Sequence, residues 1–330
     1  MADDQQPVSG RRVLVTGAYG LLGSAVVKLA LESGAAVSTV SRERHPESAL
    51  VKDGLANECT RYEADVSDKD AVDRVFGSAI PDVVIHLAGV SVVGEAQLLP
   101  REAVESSVVG TLNVLEAAKA TDTQAVAVAS SDKAYGASEQ LPYTEDVPLQ
   151  PKFPYEAAKA AADVVARSYW FSYGLPTSVI RSANLYGGGD WNLTRLVPQT
   201  IASILQGRAP TLRSDGRTER DYLYVEDAAA AYMEVVSLLL DGDGAGEPFN
   251  VGSGVARPTI EVVEEILRVA GSDLEPEIQG AGVPQGEIEC QVIDSSRLEA
   301  ATGWKATTPL EDGLARTLAW YREYPQALGI

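Results

Sequence analysis

The chain has 330 residues, of which 45% are apolar, and its formal net charge at neutral pH is −20. This length suffices for about two domains with a large core. The strong negative charge disfavours nucleic acid and anionic membrane surfaces as partners. No apolar run is long enough to span a bilayer and no secretory signal is evident, so we expect a cytoplasmic protein. The two cysteines, Cys59 and Cys290, lie far apart without metal-ligand spacing and are expected to be ordinary thiols.

The first motif is a glycine-rich loop between a strand and a helix. Arg12 to Thr16 predicts a buried strand, and GAYGLLG follows it directly before the apolar-periodic run from Ser24 to Leu31. Glycines at this spacing allow a tight turn, let backbone amides approach a pyrophosphate and point a helix N-terminus at its charge. The strand before and the helix after strengthen the prediction of a dinucleotide site. The expected contacts of this loop are Gly17, Tyr19, Gly20, Leu21, Leu22 and Gly23.

The second strand, Ala36 to Val40, ends in Ser41 and Arg42, which we predict to contact the cofactor. An acidic residue at this point binds the 2′-hydroxyl of NAD, whereas an arginine suits the 2′-phosphate of NADP. The sequence therefore favours NADP over NAD. Two alternatives remain open for Arg42, a solvated loop charge and a stacking contact with the adenine.

Two further strands are predicted from Arg61 to Asp65 and from Val83 to Ala88, and a long helix from Arg101 to Ala120 follows them. We expect their ends to meet the adenine and the middle of the cofactor. The contacts predicted there are Asp65, Val66, Leu87, Ala88 and Gly89. His86 is interpreted as a packed strand residue and not as a catalyst.

The stretch from Ser130 to Lys159 carries the candidate chemistry. Ala125 to Ala129 predicts a buried parallel strand that delivers Ser131 at its carboxyl end. Tyr155 and Lys159 stand four residues apart and share one face of a predicted helix. A phenol titrates near about 10, so it needs a neighbouring ammonium to act as a base at neutral pH. With Ser131 they would form an acid/base relay for oxidising a hydroxyl.

On its own, the Tyr155–Lys159 spacing is more often a half-buried aromatic with a snorkelling lysine. Strands alternate with helices over about 160 residues, which predicts a doubly wound parallel α/β sheet. In such sheets the site lies outside the carboxyl ends of the strands, where the glycine loop, Ser131 and Tyr155 all fall. The relay and the cofactor would share one crevice, which favours the catalytic interpretation.

In this order and spacing, TGAYGLLG, the DV at Asp65, HLAG, SSDKAYG, Y-x-x-x-K and RSANLYG resemble the extended short-chain dehydrogenases of the NAD-dependent epimerase/dehydratase family, which act on nucleotide sugars. The resemblance covers almost the whole chain. It implies a Rossmann domain, mainly residues 1–180, and a smaller α/β domain for the nucleotide sugar, mainly 181–330, with residues near 215–250 returning to the first. It also implies Tyr155 as the base, a tightly bound and recycled NAD or NADP, and a homodimer formed through helices 101–120 and 155–173.

The triplet Ser131-Asp132-Lys133, GGGDWN and RLVP resemble CDP-glucose-like or GDP-mannose-like 4,6-dehydratases. Such enzymes oxidise C4, lose water across C5 and C6, and return the hydride to C6. This resemblance makes Asp132 the candidate acid for the departing hydroxyl. It makes Lys133 a base or a charge that holds the C4 oxygen and the phenolate, with a solvated loop charge as the alternative. A 4-epimerase or decarboxylase of the same family, and a cofactor-sensing protein without turnover, are the alternative functions.

The resemblance also indicates residues for the nucleotide sugar, with Arg220 on the diphosphate. The predicted substrate contacts are Ser91, Asn184, Asn192, Leu196, Val197, Arg213, Arg220 and Glu287. The chain departs from the family pattern at Ala158, usually a serine, and at Ser107, usually an asparagine. RDYLYVED is more similar to the epimerase and decarboxylase branches, which leaves the nucleotide open.

Overall fold

The computed structural model describes residues 7–282 and 288–330. The strands of this part are β1 (Arg12–Thr16), β2 (Ala36–Ser41), β3 (Thr60–Glu63), β4 (Val83–His86), β5 (Ala125–Ser131), β6 (Thr177–Ser182), β7 (Asn184–Tyr186), β8 (Thr211–Leu212), β9 (Glu219–Tyr224), β10 (Pro248–Val251), β11 (Ala256–Pro258), β12 (Glu277–Ile278) and β13 (Cys290–Gln291). The α-helices are α1 (Leu21–Glu32), α2 (Ala49–Lys52), α3 (Lys69–Ala79), α4 (Val93–Leu98), α5 (Pro100–Val104), α6 (Gly110–Ala120), α7 (Pro154–Tyr173), α8 (Leu196–Leu205), α9 (Val225–Leu240), α10 (Thr259–Ala270), α11 (Ser296–Thr302) and α12 (Leu310–Glu323).

Seven strands form one sheet in the order β10-β6-β5-β4-β1-β2-β3. Every neighbouring pair in it is parallel. Strands β1, β4 and β5 at the centre are short, apolar and almost fully buried, as the pattern of a sheet covered on both faces requires. The chain winds outward from β1 to one edge and then from β4 to the other, so the strand order reverses between β1 and β4. The predicted doubly wound sheet is confirmed, and its ligand crevice is expected at that reversal.

Helices cover both faces of this sheet. On one face α1 and α9 pack their apolar sides against the strands, with Val26 and Val235 fully buried. On the other face Phe76 of α3, Leu115 of α6 and Ala166 of α7 fill a second core. The catalytic candidates of α7 are therefore carried by a helix that is anchored along its length.

The remaining strands form smaller sheets beside the crevice. β11, β9 and β13 pair in that order and β7 also pairs with β9, while β8 pairs with β12. Helices α8, α10 and α12 pack around a separate apolar cluster there. Among the residues that the structure describes, no helix is long and apolar enough to cross a membrane.

The predicted long helix from Arg101 to Ala120 is present as one helical stretch from α5 to α6. A π-helical turn, Glu105–Val109, which contains Ser107, joins α5 to α6 within it. The third and fourth strands end earlier than predicted, so that Asp65 and Leu87 lie in loops. At Asp65 the carboxylate accepts hydrogen bonds from the amide and the hydroxyl of Ser67, at 2.8 and 2.7 Å, and such local bonds compete with the strand ladder.

Candidate active site

The glycine loop forms a cradle that leaves no room for side chains. Gly17 has a φ of +70°, and a Cβ there would lie 2.9 Å from the amide nitrogen of Ala88. A Cβ on Gly23 would lie 2.2 Å from the carbonyl oxygen of Gly17. Helix α1 begins after Gly20 without a side-chain cap, which leaves its first amides for an anion. The loop therefore fits the pyrophosphate of a dinucleotide.

Ser41, Arg42 and Asp65 lie together beside this loop, at the ends of β2 and β3. Arg42 is 72% exposed, and its guanidinium is 4.0 Å from the carboxylate of Asp65. The Ser41 hydroxyl is buried and has no hydrogen-bond partner within the described ranges. Val66 is buried, and its side chain occupies the space where a Cβ on Gly110 would stand. The predicted adenosine contacts thus include one cation that solvent and a ligand can both reach.

Strand β5 places Ser131 at the carboxyl edge of the sheet. Its hydroxyl donates to Asp132 Oδ1 at 3.0 Å and accepts from the amide of Lys133 at 3.2 Å. These bonds begin a short 3₁₀ turn, Asp132–Tyr135, that directs the chain away from the sheet. The turn keeps the hydroxyl, the carboxylate and the ammonium at one end of the strand.

Helix α7 brings Tyr155 and Lys159 to the same place. It begins at Pro154, where the carboxylate of Glu156 accepts hydrogen bonds from the backbone amides of Lys152 and Phe153, at 2.7 and 3.2 Å. Proline suits the first helical position because no amide is lost there. Tyr155 packs against the alanines of α4, α5 and α7, namely Ala96, Ala103 and Ala158. The Lys159 ammonium donates to the carbonyl of Ala129 at 3.4 Å, so both functional groups are buried at the end of β5.

Burial shifts the pKa values of Tyr155 and Lys159 in opposite directions. Burial raises the pKa of the Tyr155 phenol, a hydrogen bond with Ser131 lowers it, the charge of Asp132 raises it and that of Arg195 lowers it. Burial lowers the pKa of Lys159 to about 8. The protein therefore holds a phenol that resists ionisation beside an ammonium close to losing its proton. A bound substrate and cofactor complete such a site by excluding water and adding charge.

Asp132 and Lys133 form a second polar group beside the first. The Asp132 side chain is 2% exposed, and its Oδ1 lies 3.8 Å from the Lys133 ammonium. Lys133 also donates to the amide oxygens of Asn184 and Gln291, at 3.3 Å each. Asp132 Oδ2 and Gln291 Nε2 are buried without a partner in the described part of the chain. The alternative of a solvated loop charge for Lys133 is therefore wrong.

Residues 13–252 match the model of the NAD dependent epimerase/dehydratase family. The chain belongs to this family. Its relatives include dehydratases and epimerases, so it is an NAD(P)-dependent enzyme of one of these two types. The family resemblance seen in the motifs is confirmed.

Individual relatives of this family member divide between the two activities. The dTDP-glucose 4,6-dehydratase of Neisseria meningitidis is 32% identical over 94% of this chain and 93% of its own length. The UDP-glucose 4-epimerase of Thermotoga maritima, solved with UDP-glucose, has a TM-score of 0.87 at 26% identity, over 95% of this chain and 99% of its own. A double mutant of the dTDP-glucose 4,6-dehydratase of Streptomyces venezuelae, solved with NAD, has a TM-score of 0.84 at 28% identity, over 94% and 97%.

Two residues of the site, Arg195 and Gln291, were not predicted from the sequence to have a function. Arg195 binds both carboxylate oxygens of Asp190 at 3.0 Å and the hydroxyl of Ser91 at 2.9 Å, and its charge acts on Tyr155. Its position in the motif RLVP was the available signal. Gln291 stands in a two-residue strand without any motif, so no local pattern distinguishes it.

The other predicted substrate contacts are not all brought together. Asn184 lies in the site, since its amide oxygen faces Lys133 and its amide nitrogen donates to the Asp221 carbonyl at 3.4 Å. Arg220 is buried in β9 and donates to the carbonyls of Glu219 and Glu289, at 2.8 and 3.4 Å.

Of the remaining predicted contacts, Asn192 lies in the loop before α8, and Leu196 and Val197 lie in its first turn. Asn192 shapes the loop through bonds with Asp190 and Thr194. Leu196 is half-buried and Val197 packs in the core beneath α8. Arg213 is exposed, and Glu287 lies outside the described residues.

Proposed function

We propose that this protein is a nucleotide-sugar 4,6-dehydratase that makes a 4-keto-6-deoxyhexose. The observation that carries the proposal is the buried Asp132–Lys133 pair beside Ser131, with one oxygen of Asp132 left without a partner in the described residues. Oxidation at C4 needs the tyrosine relay alone, whereas loss of water needs an acid for the departing hydroxyl. The similarity to curated dTDP-glucose 4,6-dehydratases supports the same choice.

The bound nicotinamide would accept a hydride from C4 and return it to C6. Tyr155 takes the proton of the C4 hydroxyl, helped by its contact with Ser131 and by the nearby positive charge of Arg195. The C4 ketone makes the C5 proton acidic. The Asp132 carboxylate takes this proton and gives it to the C6 hydroxyl as that hydroxyl leaves, so that water departs and a C5–C6 double bond forms. When the hydride adds to C6, C5 takes up one proton, which balances the proton that Tyr155 removed. Burial of Asp132 keeps bulk water away from this step.

Lys133 fits the role of holding charge better than the role of a base. Its three neighbours, Asp132, Asn184 and Gln291, all present oxygen acceptors to the ammonium. Such a setting favours a cation that stabilises oxygen charge near C4 over an amine that removes a proton. We place the diphosphate of the substrate near Arg220 and the adjoining loop residues, and keep the nucleotide base open.

The deciding experiment offers purified protein a panel of UDP-, dTDP-, CDP- and GDP-hexoses and records product masses. Loss of one water from one of them, without net reduction of added cofactor, establishes the dehydratase and names the nucleotide. An unchanged mass with a new epimer contradicts it and assigns a 4-epimerase. Loss of carbon dioxide from a uronic acid substrate would assign a decarboxylase. Bound cofactor without turnover of any nucleotide sugar would support the alternative of a cofactor-sensing protein.

The 4-epimerase is the second candidate because a specific observation favours it. A UDP-glucose 4-epimerase is among the solved structures most similar in fold, with a TM-score of 0.87. In that case Tyr155 and Lys159 act unchanged, and Asp132 and Lys133 only position the sugar.

We further propose that the enzyme prefers NADP, because the exposed Arg42 guanidinium stands at the end of β2. Replacing Arg42 with alanine is expected to weaken NADP binding about tenfold and leave NAD binding within twofold, since only NADP carries the 2′-phosphate. Arg44, which is also exposed in the same loop, is the matched control. Equal loss for both cofactors would contradict the preference.

We also propose a cytoplasmic homodimer whose interface is an apolar stripe on the outer face of α7 and α6. Val164 and Phe171 of α7 are 58% and 70% exposed, one heptad apart, and Leu112 of α6 is 41% exposed. Exposed apolar side chains on neighbouring helices are typical of an interface. Val164→Glu with Phe171→Glu is expected to give monomers by light scattering. Ile278→Glu, at an exposed apolar residue elsewhere, is the control and should leave the state unchanged.

A further inference from the structure

A buried chain of hydrogen bonds passes through His86, at the end of β4. The side chain is 2% exposed. Its Nδ1 lies 2.7 Å from the hydroxyl of Thr16, the last residue before the glycine loop. Its Nε2 lies 3.1 Å from the hydroxyl of Thr111, in the first turn of α6. The imidazole therefore connects the cofactor cradle with the π-helical turn at Ser107.

The direction of the bond on the Thr111 side follows from counting protons. The Thr111 hydroxyl lies 2.5 Å from the carbonyl oxygen of Ser107. A carbonyl can only accept, so the single hydroxyl proton points at Ser107. Thr111 must then accept from His86, which places a proton on Nε2.

The Thr16 side has the opposite polarity. A neutral imidazole that carries its proton on Nε2 presents Nδ1 as an acceptor, so the Thr16 hydroxyl donates to it. The oxygen of that hydroxyl in turn accepts the amides of Leu87 and Ala88, at 3.1 Å each. The chain runs in one direction from these two amides, through Thr16, His86 and Thr111, to the Ser107 carbonyl. A second proton on the imidazole would leave the Thr16 hydroxyl without its acceptor.

The surroundings of His86 agree with this neutral form. Burial and the charge of Lys159, which reaches the site from α7, lower the pKa of His86 to about 3. The turn that the chain fixes lies against the catalytic helix. A Cβ on Gly89 would stand 3.1 Å from the Ser107 hydroxyl and 3.6 Å from the Lys159 ammonium.

We propose that neutral His86 is a positioning residue for the dinucleotide site. It holds the turn Leu87–Gly89 against the glycine loop and the π-helical turn against Gly89, which shapes the wall facing the cofactor and Lys159. The role does not depend on which sugar is processed, so it goes beyond the proposed function.

The tautomer is tested directly by nitrogen NMR on protein labelled with ¹⁵N-histidine. The sequence has two histidines, so His45→Gln assigns the signals. The expected result is a neutral imidazole protonated on Nε2 from pH 5 to pH 9. An imidazolium at pH 6, or a proton on Nδ1, overturns the proposal.

The positioning role is tested by removing single hydroxyls at constant shape. Thr16→Val and Thr111→Val should each release bound NADPH about tenfold faster, measured by loss of its fluorescence after dilution into excess NADP. Thr111→Ser restores the hydroxyl and should return the rate to within twofold. Thr123→Val is the matched control, because this buried hydroxyl donates to the Pro81 carbonyl at 3.1 Å. Thr123 and Pro81 precede β5 and β4, at the amino ends of these strands and away from the cofactor crevice.

Thr16→Val combined with Thr111→Val should accelerate release by less than the product of the two single effects, because both act through one imidazole. The proposal is overturned if Thr123→Val releases NADPH as fast as the two site variants do, or if neither site variant changes the release rate. It is also overturned if the two effects multiply in the double variant. Neither experiment uses a nucleotide sugar, so the result stands apart from the test of the dehydratase.

Discussion

Two groups of polar side chains near the carboxyl end of strand β5, which we call the rear network and the front cluster, are built differently. In the rear network, Arg181 of β6 makes two bonds to Asp163 of α7, at 2.9 and 3.0 Å, and a third to the Tyr135 hydroxyl at 2.9 Å. Tyr135 donates to Asn250 of β10 at 2.7 Å. In the front cluster, Asp132 and Gln291 each have a buried polar atom without a hydrogen-bond partner among the residues described. The rear network is satisfied within the protein, and the front cluster lacks groups that a ligand can supply.

This difference separates support from chemistry. Buried polar groups that are fully hydrogen-bonded fix one arrangement of the elements around them, here α7 against β6 and β10. Buried polar groups left unpaired cost stability and are therefore expected where a ligand binds. Changes in the rear network should lower stability, whereas changes in the front cluster should lower activity and spare the fold.

The largest expected effect is that of Asp132→Asn. The amide keeps the size of the side chain and cannot donate the proton, so we expect the rate of water loss to fall by about 10²–10⁴-fold. The melting temperature should stay close to that of the wild type. Wild-type product formation by this variant would contradict the acid role, and a large loss of stability would contradict the comparison.

Asp163→Asn should have its effect on stability. Removing the carboxylate leaves the buried Arg181 charge unpaired, which is expected to lower the free energy of unfolding by about 3–5 kcal/mol. Denaturant unfolding measures the loss. Asp163→Leu combined with Arg181→Met removes both charges and should recover most of it. If Asp163→Asn unfolds like the wild type, the network does not support α7.

The buried ammonium of Lys159 is also expected to cost stability. Its pKa is lowered to about 8 in the fold, against roughly 10.4 for an unperturbed lysine. Between these values the unfolded chain binds more protons, so this group makes the protein more stable as pH rises from about 8 to about 10.4. Below pH 8 the full cost is present. Lys159→Met should therefore raise stability at pH 7 by roughly 1–3 kcal/mol while lowering activity.

Unfolding curves at pH 7 and at pH 10 check this prediction. The gain should shrink at the higher pH, because the wild-type lysine is then neutral in the fold. A gain of equal size at both values would assign it to packing and not to the buried charge.

The smallest expected effect is that of Gln291→Leu. It removes one of the two amide oxygens that hold Lys133, at 3.3 Å, and leaves the other in place on Asn184. We expect KM for the nucleotide sugar to rise by about tenfold, with a smaller change in kcat. The product spectrum measured alongside it should not change. A reduced kcat at constant KM would instead place Gln291 in the chemical step.

The parts of the site that lie on one local pattern were predictable from the sequence. The glycine loop, β1 and α1 follow from apolar runs and glycine spacing within twenty residues of chain, as do Tyr155 and Lys159 on α7. The π-helical turn was not predictable, because Glu105–Val109 carries no break in helical composition. The contact of Lys133 with Gln291 joins residues far apart in sequence, and only the pairing of β13 with β9 brings them together.

Strand β10 and helix α9 have a consequence for how this enzyme is made in the cell. β10 is an edge strand of the central sheet, yet the ribosome reaches it only after β7, β8, β9 and α9 have been translated. Until α9 is made, the nascent sheet lacks the apolar cover of Tyr232 and Val236. A fragment that stops near residue 180 would expose that bare face and is expected to aggregate. The segments before and after residue 180 are therefore expected to fold together, and neither is a suitable unit for separate expression.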